Sequence, residues 1–124
     1  MIMQGIVWIG IYVMDLAAAI NFYRDILELP LLRQGDGWAD FDAGQGVLLE
    51  LLSGGAASSR PKSVEQQPLV VGFLVEDLDG VIGQLRNRNV VFSGEVEKFR
   101  NQRWAHFCDP EGNQLEIKEI RSAS

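Results

Sequence analysis

Apolar residues recur along the chain with two periods, one typical of strands and one typical of helices. A β-branched run at residues 6–13 predicts a buried strand. Asp15 follows as a candidate N-cap, and Pro30 marks the end of a helix. Between them, apolar residues lie at helical spacing: Leu16, Ile20, Tyr23 and Leu27. Short strands separated by glycine-rich turns are then predicted at residues 31–33, 38–42 and 46–52.

The second half of the chain predicts the same order of elements. A strand is expected at residues 69–75, and a helix begins near Asp77. The apolar face of this helix is formed by Leu78, Val81, Ile82 and Leu85. Further strands are expected at residues 90–97, 103–108 and 114–120. Residues 53–68 combine Gly, Ser, Ala and Pro and predict a linker. We therefore expect a single domain over 1–124, with module 1 at about 1–52, the linker at about 53–68 and module 2 at about 69–124.

The two halves also resemble each other in sequence. Residues 38–50 match residues 104–116 at six of thirteen positions, at an offset of 66. A second match, between residues 9–16 and residues 71–78, has an offset of 62. Each half has about sixty residues, which is short for an independent domain. The repeat therefore predicts an α+β fold in which two tandem βαβββ modules form a curved mixed sheet around a cavity, with the helices on the outer face.

Charge and cysteine content narrow the function classes. The 124 residues carry a net charge of -6, which argues against nonspecific nucleic-acid binding. An acidic cavity would favour cationic ligands, and the alternative is that the charge serves solubility. Cys108 is the single cysteine, so no intrachain disulfide and no cysteine metal cluster can form. The N-terminal residues lack a basic region, and no apolar run has the length of a membrane span. We expect a cytoplasmic protein with neither nucleic-acid nor membrane partners.

Two motifs within this repeat resemble one family. The first comprises residues 13–16 and 22–27 (VMDL and FYRDIL), and the second residues 107–113 and 115–116 (FCDPEGN and LE). They resemble the first strand and helix and the last hairpin of the vicinal oxygen chelate superfamily, which includes glyoxalase I, bleomycin-resistance proteins, extradiol dioxygenases and fosfomycin thiol transferases. The resemblance covers nearly the whole chain apart from the linker. It implies the fold more strongly than the activity, because this fold hosts several chemistries.

The resemblance also implies where a metal would be held. Metal-dependent members take four ligands from four strands, and the corresponding residues here are Trp8, Glu50, Val70 and Glu116. Trp8 and Val70 cannot ligate, and two carboxylates alone make a poor transition-metal site. We therefore expect no metal cofactor. If a divalent ion binds, Glu50 and Glu116 are its ligands, in a water-rich Mg²⁺ or Mn²⁺ site. His106, the one histidine, could complete a site only if its strand faces the cavity.

Carboxylates could also act without a metal. On facing sheets, burial and mutual repulsion would raise the pKa of one glutamate and make it a general base. By resemblance to glyoxalase-like members, Glu116 is the better candidate for that base. The alternative is that Glu50 and Glu116 are remnants of a lost site that contact a ligand or nearby polar groups.

Aromatic residues are the other candidates for ligand contacts. Strand alternation places Trp8 and Tyr12 on one face of the first strand, opposite the aliphatic face that should pack on the helix. The repeat-equivalent Trp38 and Trp104 either line the cavity or belong to the core. The predicted ligand-binding set is Trp8, Tyr12, Trp38, Glu50, Val70, Trp104, His106 and Glu116.

Three functions follow as hypotheses. The favoured one is a protein similar to the bleomycin-resistance members, with a degenerate metal site, that binds a small aromatic or cationic organic ligand in the cavity. The second is a lyase, isomerase or dioxygenase of the glyoxalase type that uses Glu116 as base, with an atypical metal or none. The third is a non-catalytic interaction module. Chains of this size in the family commonly pair, so we also expect a homodimer.

Overall fold

The chain forms two units of the same α+β build, as the repeat predicts. The computed structural model describes residues 1–122. The first unit is Met1–Ala57, and the second begins at Ser58. Each contains one helix and a four-stranded mixed sheet, in the order β-α-β-β-β. The predicted fold class is confirmed in these elements.

The first unit has the sheet order β1-β4-β3-β2, in which β1 and β4 are parallel and the other pairs antiparallel. Its helix α1, Leu16–Asn21, continues as a π-helical turn over Phe22–Ile26. Its strands are β1 Trp8–Val13, β2 Leu31–Gly35, β3 Trp38–Asp42 and β4 Leu48–Ser53.

The second unit has the equivalent order β5-β8-β7-β6, with β5 parallel to β8. Its helix α2 spans Leu78–Asn87. Its strands are β5 Val71–Leu74, β6 Phe92–Phe99, β7 Gln102–Cys108 and β8 Gln114–Ile120.

The two sheets repeat at the level of single residue pairs. In the first, Glu50 of β4 pairs with Gly10 on one side and with Asp40 on the other. In the second, Glu116 of β8 pairs with Gly72 and with His106. These pairs are related by the offsets of 62 and 66 found in the sequence. The repeat therefore reflects identical positions in two hydrogen-bonded ladders.

Apolar side chains on one face of the first sheet pack against α1. Asp15 caps the helix by accepting a hydrogen bond from the N–H of Ala18 at 3.1 Å, as predicted. The helix widens at Phe22, whose carbonyl accepts the N–H of Leu27 five residues later. Phe22 and Tyr23 are both buried there, and Tyr23 contacts Phe41. The buried apolar residues of this unit are Val13, Ala19, Ile20, Phe22, Tyr23, Ala39, Phe41, Leu49 and Leu51.

The second unit has a similar core between α2 and its sheet, and the charged residue Glu119 is buried beside it. Glu119 of β8 is buried, and its carboxylate accepts the N–H of Leu78, the first residue of α2, at 3.0 Å. The same carboxylate pairs with Arg103 and Arg121, at 3.2 and 2.9 Å. The buried apolar residues are Leu78, Ile82, Leu85, Val90, Ala105, Phe107, Leu115 and Ile117.

The segment predicted as a linker is hydrogen-bonded to the turn between β7 and β8. The backbone N–H groups of Ser58 and Lys62 donate to the carbonyls of Glu111 and Gly112. The Lys62 ammonium donates to Asn113 at 2.8 Å. Gln67 and Gln114 exchange two further bonds, each between the side chain of Gln67 and the backbone of Gln114. We call this set of contacts the clamp.

Strand boundaries differ from the predicted ones by at most two residues, and β3 and β8 have the predicted boundaries. The first strand begins at Trp8, because residues 6 and 7 are exposed apolar residues outside the sheet ladder. The sixth strand extends to Phe99, beyond the predicted end at residue 97. Within the described part of the chain, neither helix has the length and apolar character needed to cross a membrane.

Candidate functional site

In each unit, polar and aromatic side chains occupy the sheet face turned away from the helix. Strand alternation assigns them there, because the neighbouring positions on the same strands are the buried core residues. In the first unit this face carries Trp8, Tyr12, Trp38, Asp40 and Glu50. In the second it carries Trp104, His106, Glu116 and Lys118.

Trp8 and Glu50 are joined by a hydrogen bond. The indole Nε1 donates to Glu50 Oε1 at 2.9 Å, although Trp8 is itself 49% exposed. The ring lies across Gly10, where a Cβ atom would stand 2.3 Å from it. The missing side chain at position 10 therefore lets the indole fold along the sheet toward Glu50.

Asp40 is a carboxylate that the sequence analysis did not select. It lies directly opposite Glu50 in the β3–β4 ladder, and its side chain is only 6% exposed. Its Oδ2 accepts a hydrogen bond from the Arg33 guanidinium at 3.1 Å. Its Oδ1 is buried and has no hydrogen-bond partner among the described residues. Two carboxylates are therefore opposite each other on this face, and the buried Oδ1 of Asp40 is unpaired.

Two other aromatic residues lie in the next row of the same face. Trp38 is half-buried, and its indole covers Gly35 of the neighbouring strand. Tyr12 is 62% exposed. Leu52 lies between them in the ladder, paired with both. The first face therefore combines exposed aromatic surface with carboxylates.

The second face is more fully paired. His106 Nε2 lies 3.0 Å from Glu116 Oε1, and the other Glu116 oxygen lies 3.7 Å from the Lys118 ammonium. That ammonium also lies 5.0 Å from the centre of the Trp104 ring. The Trp104 indole donates to Glu97 at 2.7 Å. An internal cation thus already contacts the aromatic ring of this face.

Val70 occupies the position that corresponds to Trp8 in the second unit. It lies just before β5, is 53% exposed, and has no side-chain atom that could ligate a metal or accept a hydrogen bond. The Glu116 carboxylate instead lies over Gly72, where a Cβ atom would be 3.2 Å from Oε2. The two faces therefore differ in what contacts their glutamate.

Both glutamates have partners on their own sheet faces. An indole N–H occupies one oxygen of Glu50, whereas a histidine and an ammonium contact Glu116. Within residues 1–122, no group of three or more His, Cys, Asp or Glu side chains is arranged to hold a metal ion. Trp8 and Val70 have no metal-ligating atom, so these four positions do not supply the four-ligand centre that the resemblance implies.

Cys108 has the environment of a protonated thiol. Burial raises its pKa, and the negative charge of the adjacent Asp109 raises it further. A thiolate nucleophile at this position is therefore disfavoured.

Three contributors to these faces were missed by the sequence analysis: Arg33, Asp40 and Lys118. Asp40 aligns with His106 in the repeat, but the two residues differ, so a search for identical positions passes over them. The signal that could have found Asp40 is its register position opposite Glu50. That position follows once β3 and β4 are paired in the same way as β7 and β8.

The sequence of this chain is similar to those of known proteins. The family model described as Glyoxalase/Bleomycin resistance protein/Dioxygenase superfamily matches residues 5–117. The uncharacterized protein YraH of Bacillus subtilis is 32% identical over 123 residues, which cover 90% of this chain and 95% of YraH. The metallothiol transferase FosB of Staphylococcus epidermidis is 29% identical over 118 residues, covering 92% and 82%.

The solved structures agree on the fold. A glyoxalase/dioxygenase from Nostoc punctiforme superposes with a TM-score of 0.80 at 19% identity, covering 96% of this chain and 92% of that one. At this identity the likeness extends to the fold alone.

Proposed function

Because this chain belongs to the glyoxalase/bleomycin resistance protein/dioxygenase superfamily, we propose that it binds a small aromatic or cationic organic ligand. The family membership confirms the resemblance to vicinal oxygen chelate proteins predicted from the two motifs. The proposal further includes binding without a resident metal, a homodimeric state and a cytoplasmic location.

One observation carries this proposal. The position at which the family resemblance implies a metal ligand holds Trp8, whose indole is half exposed and fixed by Glu50. An exposed tryptophan that is fixed by a hydrogen bond offers a flat surface at low entropic cost. The carboxylates beside it favour positively charged ligands.

The difference between the two faces supports the first unit as the ligand-binding one. The Trp104 ring is already contacted by Lys118, so a ligand cation would have to compete with an internal ammonium. Trp8 has no cation–π partner among the described residues, and two carboxylates lie on its face. An aromatic cation would therefore be bound at Trp8 rather than at Trp104.

We expect at least one of benzylamine, benzyl alcohol and bleomycin to quench tryptophan fluorescence and raise the melting temperature. Binding to the native state stabilises it by mass action. Trp8→Ala should weaken the binding by about tenfold, because it removes the stacking surface. EDTA should leave the binding unchanged, since no metal is involved.

The matched control is Phe99→Ala, which removes an exposed aromatic side chain of the second unit. It should bind the probes as the unmodified protein does. If none of the three probes changes either signal at millimolar concentration, the proposed function is wrong. Equal losses in Trp8→Ala and Phe99→Ala would remove Trp8 from the site.

A second candidate function is favoured by the contact between His106 and Glu116. Glu116 is mostly buried and hydrogen-bonded to a histidine at 3.0 Å, an arrangement in which a proton can be held and moved. Glu116 would take a proton from a substrate carbon, and His106 would orient the carboxylate. This would be the chemistry of a glyoxalase-type lyase or isomerase.

This candidate predicts turnover of a hemithioacetal formed from methylglyoxal and a thiol. Glu116→Gln should lower kcat by about a hundredfold or more, because a general base contributes at least that factor. Glu95→Gln, at an exposed position of β6, makes the same change in charge and should leave kcat unaltered. Absence of turnover in the unmodified protein, or unchanged turnover in Glu116→Gln, would eliminate the role of Glu116.

A further inference from the structure

Because the fold is duplicated, the residue opposite each glutamate can be compared between the two units. In the second unit that position is His106, which hydrogen-bonds to Glu116 at 3.0 Å. In the first unit it is Asp40, which faces Glu50 across the ladder. Like charges directly opposite each other destabilise an antiparallel pair. The first sheet therefore keeps an unfavourable pair where the second has a favourable one.

The unfavourable pair is only partly neutralised within the unit. The Arg33 guanidinium contacts one oxygen of Asp40, while its own side chain is 70% exposed. The other oxygen, Oδ1, is buried without a partner among the described residues. A buried polar atom in this state loses its hydration without a compensating hydrogen bond. A ligand donor would satisfy this oxygen once a neighbouring side chain moves aside, and the Arg33 side chain, which is 70% exposed, is free to do so.

Local charge limits what that donor can be. Asp40 and Glu50 contribute two negative charges, and Arg33 contributes one positive charge. Asp42, two residues along β3, is exposed and accepts the backbone N–H of Gly44, so it belongs to the following turn. Asp40, Glu50 and Arg33 together thus have an excess of one negative charge, which a monovalent cation would neutralise.

The groups around Asp40 favour an organic cation over a metal ion. Glu50 Oε1 already accepts the Trp8 indole N–H, so a bare ion would find few free oxygens. An ammonium or guanidinium group needs only acceptors for its N–H groups and can attach to an apolar or aromatic body. The indole of Trp8 offers a surface for that body.

We infer that Asp40 and Glu50 form a subsite for the monovalent ammonium or guanidinium group of the ligand, with Asp40 Oδ1 as its principal acceptor. The inference rests on the proposed ligand-binding function and adds the charge of the ligand and the residue that recognises it. Glu50 holds Trp8 in place and contributes negative charge. Arg33 moderates the charge of the site from its exposed side.

Benzylamine and benzyl alcohol test this inference, because they share an aromatic body and differ in charge. The unmodified protein should bind benzylamine at pH 8 at least about tenfold more tightly than benzyl alcohol, since charge-assisted hydrogen bonds add to affinity. Asp40→Asn should remove most of that preference and leave benzyl alcohol binding unchanged. Isothermal titration calorimetry measures both affinities.

A purely structural role of Asp40 would give a different result. If Asp40 served only to pair with Arg33, Asp40→Asn would lower the melting temperature without changing the ratio of the two affinities. In our inference the ratio falls, and the melting temperature without ligand stays the same or rises, because a like-charge pair is removed. Asp36→Asn, in the exposed turn between β2 and β3, is the matched control and should preserve the ratio.

Arg33→Ala keeps the test decisive if Asp40→Asn does not fold. Removing the exposed guanidinium leaves Asp40 in place and makes the site more negative, so benzylamine should bind about threefold more tightly. An unchanged or weaker affinity would overturn the subsite. If the unmodified protein binds both probes equally, the inference fails while the proposed function stands. If it binds neither probe nor bleomycin, the proposed function itself fails.

Discussion

Gly112→Ala is expected to destabilise the protein by about 3 kcal/mol. Gly112 has φ +82°, a left-handed conformation that costs an alanine about 1 kcal/mol. A Cβ atom at this position would also lie 2.4 Å from the carbonyl oxygen of Arg60 and 2.9 Å from that of Ser58. Both contacts are with backbone, so the chain must move and the clamp must open. Urea unfolding at equilibrium would measure the loss.

Gly44→Ala separates the cost of the left-handed conformation from the cost of the backbone contacts. Gly44 has nearly the same conformation, with φ +84°, but open space around its Cβ position. Gly44→Ala should therefore destabilise the protein only through the left-handed conformation, by about 1 kcal/mol. A loss of equal size in both variants would show that the backbone contacts of Gly112 contribute nothing.

Glu119→Gln is expected to destabilise the protein at neutral pH and to lose that effect in acid. The backbone N–H of Leu78 holds the pKa of Glu119 at about 2, against an ordinary value of 4.5, and Arg103 and Arg121 lower the pKa in the same direction. A carboxyl whose pKa is lower in the folded state stabilises that state above its unfolded pKa. This contribution disappears as the pH falls from 4.5 toward 2.

The measurement is the urea midpoint of both proteins between pH 2 and pH 7. The midpoint of the unmodified protein should exceed that of Glu119→Gln above pH 4.5, and the two should converge toward pH 2. Glu65→Gln, an exposed position before β5, should follow the unmodified protein throughout. A gap between the unmodified protein and Glu119→Gln that stays constant over this range would mean that the charge of Glu119 does not stabilise the fold.

The fold was predictable because the repeat specifies strand pairing as well as strand location. Matching residues 38–50 to 104–116 implied equivalent ladders, and Glu50 and Glu116 do occupy equivalent positions in them. The Asp15 cap and a helix start near Asp77 were predicted, and Asp77 also caps its helix by accepting the N–H of Gly80. Local chemistry and periodicity are sufficient for elements of this kind.

Side-chain partners were less predictable, because they depend on register and on empty space. The bond from Trp8 to Glu50 requires a parallel pairing of β1 with β4 and a glycine at position 10. The isolation of Asp40 Oδ1 requires knowing which oxygen Arg33 contacts. Both arrangements involve side chains from more than one strand, so the sequence of a single strand does not reveal them. The ligand-binding roles assigned to these residues remain predictions that the variants above test.

The clamp determines where a fragment that contains only the second unit would have to begin. A boundary placed at the start of β5 would follow the repeat, but it would remove Lys62 and Gln67. Their loss would remove a hydrogen-bond partner from five polar groups: the Gly112 carbonyl, the Asn113 amide oxygen, and the N–H, the carbonyl and the side-chain amide of Gln114. A second-half fragment that begins at Ser58 keeps all of these bonds. The unit that repeats in sequence is therefore about ten residues shorter than the segment that a gene fragment would have to encode.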